Sequence, residues 1–246
     1  MNFQLRSLWV AIGFLTRIPV GDPSRGGTKP VRMAAAVPWF PIVGLGIGAI
    51  QALVFWALYD AANPAVAAAM STAVSALVTG AFHHDGLADM ADAFGGGWTV
   101  EQRMEILQDS RLGTYGTTAL ISAFLLEFAA LSSLPVEDGV LAVIAMHVMG
   151  RGFAVAAMLF APIAGDGLGA SYMQDLRPFT GVVSVAFAVA ISVAALGSAA
   201  WSLAPATVVT TAVVILAKRK IGGVTGDVLG AIAVLSGLTV LVCATI

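Results

Sequence analysis

The chain has 246 residues, 59% of them hydrophobic and 11% charged, with a formal net charge of −2 and a mean hydropathy of +0.92. Soluble domains are roughly 45–50% apolar, so this composition excludes an ordinary water-soluble domain, and no nucleic-acid partner is expected. The surplus lies in long runs, and a bilayer-crossing helix needs about 20 predominantly apolar residues; the sequence predicts a single integral membrane domain over residues 1–246, an all-α polytopic helical bundle whose partner is the lipid bilayer.

The single cysteine, Cys243, rules out an internal disulfide framework. The opening MNFQLRSLWVAIGFLTRIPV has the short apolar core of a secretory signal. Arg17 and Pro19, however, stand where small cleavage-site residues belong, and no cleaved peptide is expected. Arg6, Gly13 and Arg17 share one narrow helical face, which predicts an interfacial amphipathic helix, with an eighth crossing as the alternative.

Apolar runs then predict about seven crossings, at 34–58, 64–82, 114–134, 140–160, 181–203, 205–217 and 228–246. Short polar helices are expected between them. The sixth run, at about 13 residues and 1.5 Å each, falls short of a hydrocarbon core of about 30 Å, which predicts a half-helix continuing irregularly into the glycines that follow.

With seven crossings, eleven of the twelve Lys and Arg residues fall on one side: Arg6, Arg17, Arg25, Lys29, Arg32, Arg103, Arg111, Arg177, Lys218, Arg219 and Lys220. The connections near residues 60–63, 135–139 and 202–205 have none. The positive-inside rule therefore predicts a cytoplasmic amino terminus and a carboxyl terminus across the cytoplasmic (inner) membrane, with the polar motifs on the cytoplasmic side. Polar chemistry confined to one face points to an enzyme working at a membrane surface more than to a transporter.

The first such motif is FHHDGLADMADAF, residues 82–94. On a helix Asp85, Asp89 and Asp92 fall within about a 60° arc, one above the next. Hard carboxylate oxygens at that spacing suit Mg2+ or Mn2+. Zinc is disfavoured by the lack of cysteine and by His83 and His84 pointing about 100° apart. Solvated charges or a helix cap are the alternative reading.

EQRMEILQDSRLGTYG follows as a short amphipathic helix leading into a span. Asp109, Ser110 and Arg111 run into Gly113, Thr114 and Gly116, so a guanidinium and free backbone N–H groups meet at a helix start, a combination that binds phosphate. Pairing of Arg111 with Glu105 or Asp109 is the alternative. Arg151 lies inside a predicted crossing, where a charge costs about 2.5–3.5 kcal/mol, so it should face the interior and find an anionic partner or a substrate phosphate; His147, one turn earlier, shares its face. GDGLGASYMQDLR reads as ordinary loop charges. In KRKIGGVTGDVLG, Gly222, Gly223 and Gly226 permit close backbone approach, Thr225 and Asp227 suit metal or hydroxyl contacts, and Lys218 and Arg219 favour a polyanion. The basic run also serves as a topology signal.

FLTRIPV, WFPIVGLGIG, FHHDGLADMADAF, RMEILQDSRLGTYG and GGVTGDVLGA occur in an order and spacing that resemble the cobalamin synthase family, the adenosylcobinamide-GDP ribazoletransferases. The resemblance runs from Phe14 to Ala231 and includes HxDGLADxxD and DSRxGTxG elements. It implies a Mg2+-dependent membrane transferase that joins adenosylcobinamide-GDP to α-ribazole or its 5′-phosphate and releases GMP. Metal would sit on Asp85, Asp89 and Asp92; His83, Asp109, Arg111 and Asp227 would be catalytic. Arg17, Ser110, Gly113, Thr114, Gly116, Arg151, Lys218, Arg219, Gly222, Gly223, Thr225 and Gly226 would bind substrate. His83 and Asp227 both remain candidates to accept the hydroxyl proton. A homo-oligomer or a complex with enzymes of the same pathway is a possible assembly. A CDP-alcohol phosphotransferase shares the metal and leaving-group chemistry, and a cation transporter with a carboxylate vestibule is the non-enzymatic alternative.

Overall fold

A computed structural model describes residues 3–21 and 32–246. Arg25 and Lys29, which enter the predicted charge asymmetry, lie outside the described residues. The fold is helical, and among the described residues the only β-type pairing is one bridge, Ile163 with Val224.

The short apolar helix α1 (Phe3–Leu15) packs Ala11 and Leu15 against Val37, Phe40, Val43 and Ile47. Two 3-10 turns lead into α2 (Phe40–Tyr59). Next, α3 (Pro64–Thr79) starts at Asn63, whose side chain accepts from Val66 N at 2.9 Å while Pro64 takes the first helical position. It stops where Gly80 and Ala81 both turn left-handed, at φ of 62° and 55°. The next helix, α4 (Phe82–Gly96), leaves at 88° to α3, so α4 lies across the end of the crossing rather than extending it.

After α5 (Val100–Ile106), closed by a Thr99–Gln102 capping box, come α6 (Thr114–Ser133) and α7 (Val136–Phe160). The small helix α8 (Leu168–Met173) precedes α9 (Pro178–Leu196), α10 (Leu203–Ile221) and α11 (Gly226–Cys243). The core centres on α7 and α11, which are mostly buried, while α9 and α10 are mostly exposed and apolar, as lipid-facing helices must be. Glycines set the closest approach of α2 to α7: a Cβ at Gly44 would lie 2.6 Å from the His147 carbonyl O, and one at Gly48 2.9 Å from Ile144 Cα.

Among the described residues five stretches are long and apolar enough to cross a membrane, or six if α3 and α4 form one bent crossing. The predicted fifth and sixth crossings fuse into one apolar stretch, Pro178–Ile221, broken by a 3-10 turn at Gly197–Ser202. The α9 end of this stretch touches the turn before α2, where Ser184 Oγ donates to Pro38 O at 3.2 Å. Its α10 end touches α4 and α5: Lys220 Nζ donates to Phe94 O at 3.0 Å and Arg103 Nη1 to Lys220 O at 2.9 Å. Phe40 and Met104 line one cavity there, so the stretch begins and finishes at the same end of the bundle and turns back at Gly197. The predicted half-helix at 205–217 is corrected. The helix continues regularly through Lys218, Arg219 and Lys220 to Gly222, because these side chains are good helix formers and their long stems carry the charge past the apolar zone.

Candidate active site

Along α4, Asp85 is exposed, Asp89 half-buried and Asp92 buried, so the acid stripe descends from the surface into the bundle. Asp92 is turned to backbone: it accepts from Gly113 N at 2.8 Å and from Gly116 N at 2.9 Å. These are donors at the start of α6 that have no intrahelical partner. A Cβ on either glycine would strike the Asp92 carboxylate. The N–H groups expected to meet a phosphate at Gly113 and Gly116 are thus engaged by Asp92.

Helix α11 meets α4 at Gly86, where a Cβ would lie 2.8 Å from Asp227 O and 2.9 Å from Asp227 Cα. A Cβ at Gly230 would likewise lie 3.3 Å from the His83 carbonyl O. This glycine contact brings Asp227 into the electrostatic neighbourhood of the stripe. Partial burial, and then the charges of Asp85, Asp227 and Asp92, push the Asp89 carboxyl up to about 7. No Lys or Arg among the described residues bridges to any of the four; the ion pairs there are Arg32–Asp175 at 3.5 Å and Arg111–Asp109 at 2.6 Å.

Beside this cluster lies a cavity of about 320 Å³. His83, Arg151, Thr225, Gly226 and Asp227 line it together with an aromatic wall of Phe14, Phe40, Phe82 and Tyr172. The rings hold one another, Phe14 stacking on Tyr172 with centroids 4.2 Å apart and meeting Phe82 edge-on at 5.0 Å. Thr225 caps α11 through Val228 N and donates to Asp227 Oδ2 at 3.2 Å.

Arg151 has no anion in direct contact among the described residues: its partners are two histidines, and a buried chain leads from one of them to Glu127. Arg151 Nη1 donates to His147 Nδ1 at 2.8 Å, His147 Nε2 lies 2.6 Å from Gln51 Oε1, and Gln51 Nε2 donates to Glu127 Oε1 at 2.7 Å, as does Thr72 Oγ1 at 2.8 Å. Arg151 Nη2 also lies 3.4 Å from His83 Nδ1. Burial and then the Arg151 charge hold His83 well below the usual histidine range, so it is neutral. His83 and His84 do point apart: His84 leaves the cavity wall to stack on Phe124, centroids 4.5 Å apart.

Of the expected site residues, the cavity thus gathers His83, Arg151, Thr225, Gly226 and Asp227, with Asp85, Asp89 and Asp92 on the adjoining face. Others lie outside it. Arg111 is exposed and forms a two-pronged pair with Asp109; Ser110, Thr114, Lys218 and Arg219 are exposed. Arg17 packs over Gly80 at the α3–α4 corner. Gly222, at φ 83°, ends α10, and Gly223 presses on the Pro162 backbone. Gln51 and Glu127 were missed by sequence reasoning, although a carboxylate inside a predicted span was a readable signal. The aromatic wall was missed too: Phe14, Phe40 and Phe82 sit in apolar runs that do not announce a pocket, and Tyr172 lies in GDGLGASYMQDLR, read as ordinary loop charges although Asp166 and Tyr172 line the cavity.

Among the described residues no three His, Cys, Asp or Glu side chains are gathered into a group arranged to hold a metal ion. In kind the donors fit a hard divalent cation: they are carboxylate oxygens, mutually repelling, without a basic partner among the described residues and open on the Asp85 side. Asp85, Asp89 and Asp227 are the residues able to hold one, because both oxygens of Asp92 are committed to α6.

The family model described as cobalamin-5-phosphate synthase matches residues 7–245. Similar proteins named adenosylcobinamide-GDP ribazoletransferase occur in Ralstonia nicotianae, 39% identical over 92% of this chain and 89% of the relative. Those of Shewanella pealeana and Shewanella halifaxensis are 37% and 39% identical, each over 93% of this chain and 90% of the relative. No solved structure matches. A match that spans the acid stripe, the cavity and the α11 start alike leaves little of the chain outside it, and the chain belongs to the cobalamin-5-phosphate synthase family.

Proposed function

We propose that this chain joins adenosylcobinamide-GDP to α-ribazole or α-ribazole 5′-phosphate at the cytoplasmic face of the inner membrane, giving adenosylcobalamin or its 5′-phosphate and releasing GMP, with Mg2+ as cofactor. The observation that carries the reading is the cavity with a buried guanidinium on one wall, the Asp227 carboxylate on another and the unneutralised stripe beside it. A diphosphate that is both anionic and cation-bound needs both kinds of wall. The names of the relatives support the substrates, and the charge asymmetry of the loops supports the orientation.

In this reading Asp85 and Asp89 would hold Mg2+, which would supply charge neutralisation for the diphosphate and the departing phosphate, while Asp227 is left free of the metal. Arg151 donates to a phosphoryl oxygen from the cavity floor. The acceptor hydroxyl oxygen bonds to the corrinoid-side phosphorus, the bond to the GMP oxygen breaks, and its electron pair leaves with GMP. With Nδ1 facing the Arg151 guanidinium, His83 carries its proton on Nε2 and serves as a donor. Asp227 is then the group that takes the hydroxyl proton.

Purified protein in lipid nanodiscs, given adenosylcobinamide-GDP and α-ribazole, is expected to release GMP with Mg2+ and not with EDTA. Turnover of CDP-diacylglycerol instead would overturn the substrate assignment, and full activity in EDTA would overturn the metal.

A further inference from the structure

We infer that Glu127, buried in α6 and remote from the cavity, is a positioning residue that sets the Arg151 guanidinium through Gln51 and His147. This rests on the reading that the cavity takes the substrate phosphates.

Every link in the chain has one permitted direction. Arginine only donates, so His147 Nδ1 must accept and its proton must sit on Nε2. That proton fixes the orientation of the Gln51 amide, oxygen toward His147 and NH2 toward Glu127. Glu127 Oε1 is the terminal acceptor, held in place from its other side by Thr72. Take away that acceptor and the Gln51 amide is free to flip its NH2 toward the Nε2 proton; the histidine keeps its tautomer but is pushed off Gln51 toward Ser75 Oγ, 3.3 Å from Nε2, and the Nδ1 that anchors Nη1 of Arg151 moves with it.

The far end of the chain is a partition. Arg151 and His83 line both the 320 Å³ cavity and a second one of about 30 Å³, which is also bordered by Ser75, His84, Glu127 and His147. Arg151 Nε and, at the rim, His84 Nε2 are buried and have no partner among the described residues. Nη1 is committed to His147, and Nη2 to His83 with one hydrogen uncommitted among the described residues. The relay therefore restrains a guanidinium that can present a hydrogen to an anion. Glu127 borders the small cavity with Arg151 and is a counter-charge there, but no direct bond joins the two; Gln51 and His147 intervene, and their hydrogen-bond order transmits orientation, a role that Glu127→Gln separates from charge alone.

The full chain in nanodiscs tests this with Gln51→Leu, which cuts the relay, Thr72→Val, which removes one support of Glu127, and the pair Glu127→Leu and Glu127→Gln. Gln51→Leu and Glu127→Leu are expected to raise KM for adenosylcobinamide-GDP by about tenfold or more with kcat changed less than about threefold. Glu127→Gln, which keeps an acceptor oxygen, should restore KM to within about threefold, and Thr72→Val should raise it about two- to fivefold. The same order is expected for the Kd of inorganic pyrophosphate, a readout that needs no turnover and covers a variant too inactive for kinetics. Unchanged KM and Kd in Gln51→Leu, or Glu127→Gln no better than Glu127→Leu, would overturn the inference while the wild type still turns over. Absence of turnover by the wild type, with pyrophosphate binding that still follows the variants, would sink the substrate reading alone. Absence of both would sink both.

Discussion

Asp92→Asn separates a structural carboxylate from a metal ligand. Asp92 is buried and accepts two backbone N–H groups, at 2.8 and 2.9 Å, with nothing else at the start of α6 to receive them. Asparagine keeps one acceptor oxygen and turns an NH2 toward the other donor. One charge-assisted bond, worth about 1.5–3 kcal/mol, is lost, and the other falls to the neutral value of about 1 kcal/mol. Relief of repulsion on Asp89 offsets a little of this, leaving a loss of about 2–4 kcal/mol. At about 2–4 °C per kcal/mol for a chain of this size, thermal unfolding followed by tryptophan fluorescence in nanodiscs should shift down by about 4–16 °C. The deficit should be the same with and without Mg2+. A variant that unfolds with the wild type in EDTA and lacks only the stabilisation added by Mg2+ would refute the reasoning and return Asp92 to the ligand set.

Three further outcomes follow from the same geometry. Native Asp89 keeps its proton to about pH 7 while the unfolded chain loses it near about 3.9, so the native state binds more protons across that window and metal-free stability should fall as pH rises through it, by about 1 kcal/mol after solvent screening. Asp89→Asn should abolish that slope in pH-dependent melting and lower Mg2+-dependent GMP release at least about a hundredfold, whereas a slope that persists would place the proton elsewhere. Gly86→Ala drives a methyl into the Asp227 backbone; the overpacking should cost about 1–3 kcal/mol in thermal unfolding and cut activity more than tenfold, and wild-type values in both would show that α4 and α11 are not held so closely. Arg103 donates to the carbonyls of Gly97, Trp98 and Lys220, so Arg103→Ala should loosen α5 and speed limited proteolysis between residues 97 and 113, an effect that a purely solvated Arg103 would not produce.

The helices were legible because apolar runs of membrane length admit few alternatives, and the acid stripe because three carboxylates at helical spacing stand out in a chain poor in charge. Arg151 announced the need for a partner, and His147 followed from its i−4 spacing. What the sequence hid was long-range. Asp92 reads as a third ligand until Gly113 and Gly116 arrive from 21 and 24 residues away. Gln51 and Glu127, 76 residues apart, each look like an isolated polar residue in an apolar helix, and only the packing of α3 against both α2 and α6 brings them together. The extent of α10 was misjudged because hydropathy stopped at Ala217 while backbone hydrogen bonding did not.

The corner between α3 and α4 has a consequence for the lipid environment. Sixteen residues of α3 rise about 24 Å, and the abrupt left-handed step at Gly80 and Ala81 then swings the chain sideways. The strut length accordingly decides how deep the acidic surface rides relative to the leaflet. Inserting one residue would lift that surface by about 1.5 Å and spin α3 by about 100°, redirecting the corner. Acyl-chain length, by thickening or thinning the hydrocarbon around a strut that cannot stretch, becomes a dial on how readily water-borne substrates reach the carboxylates.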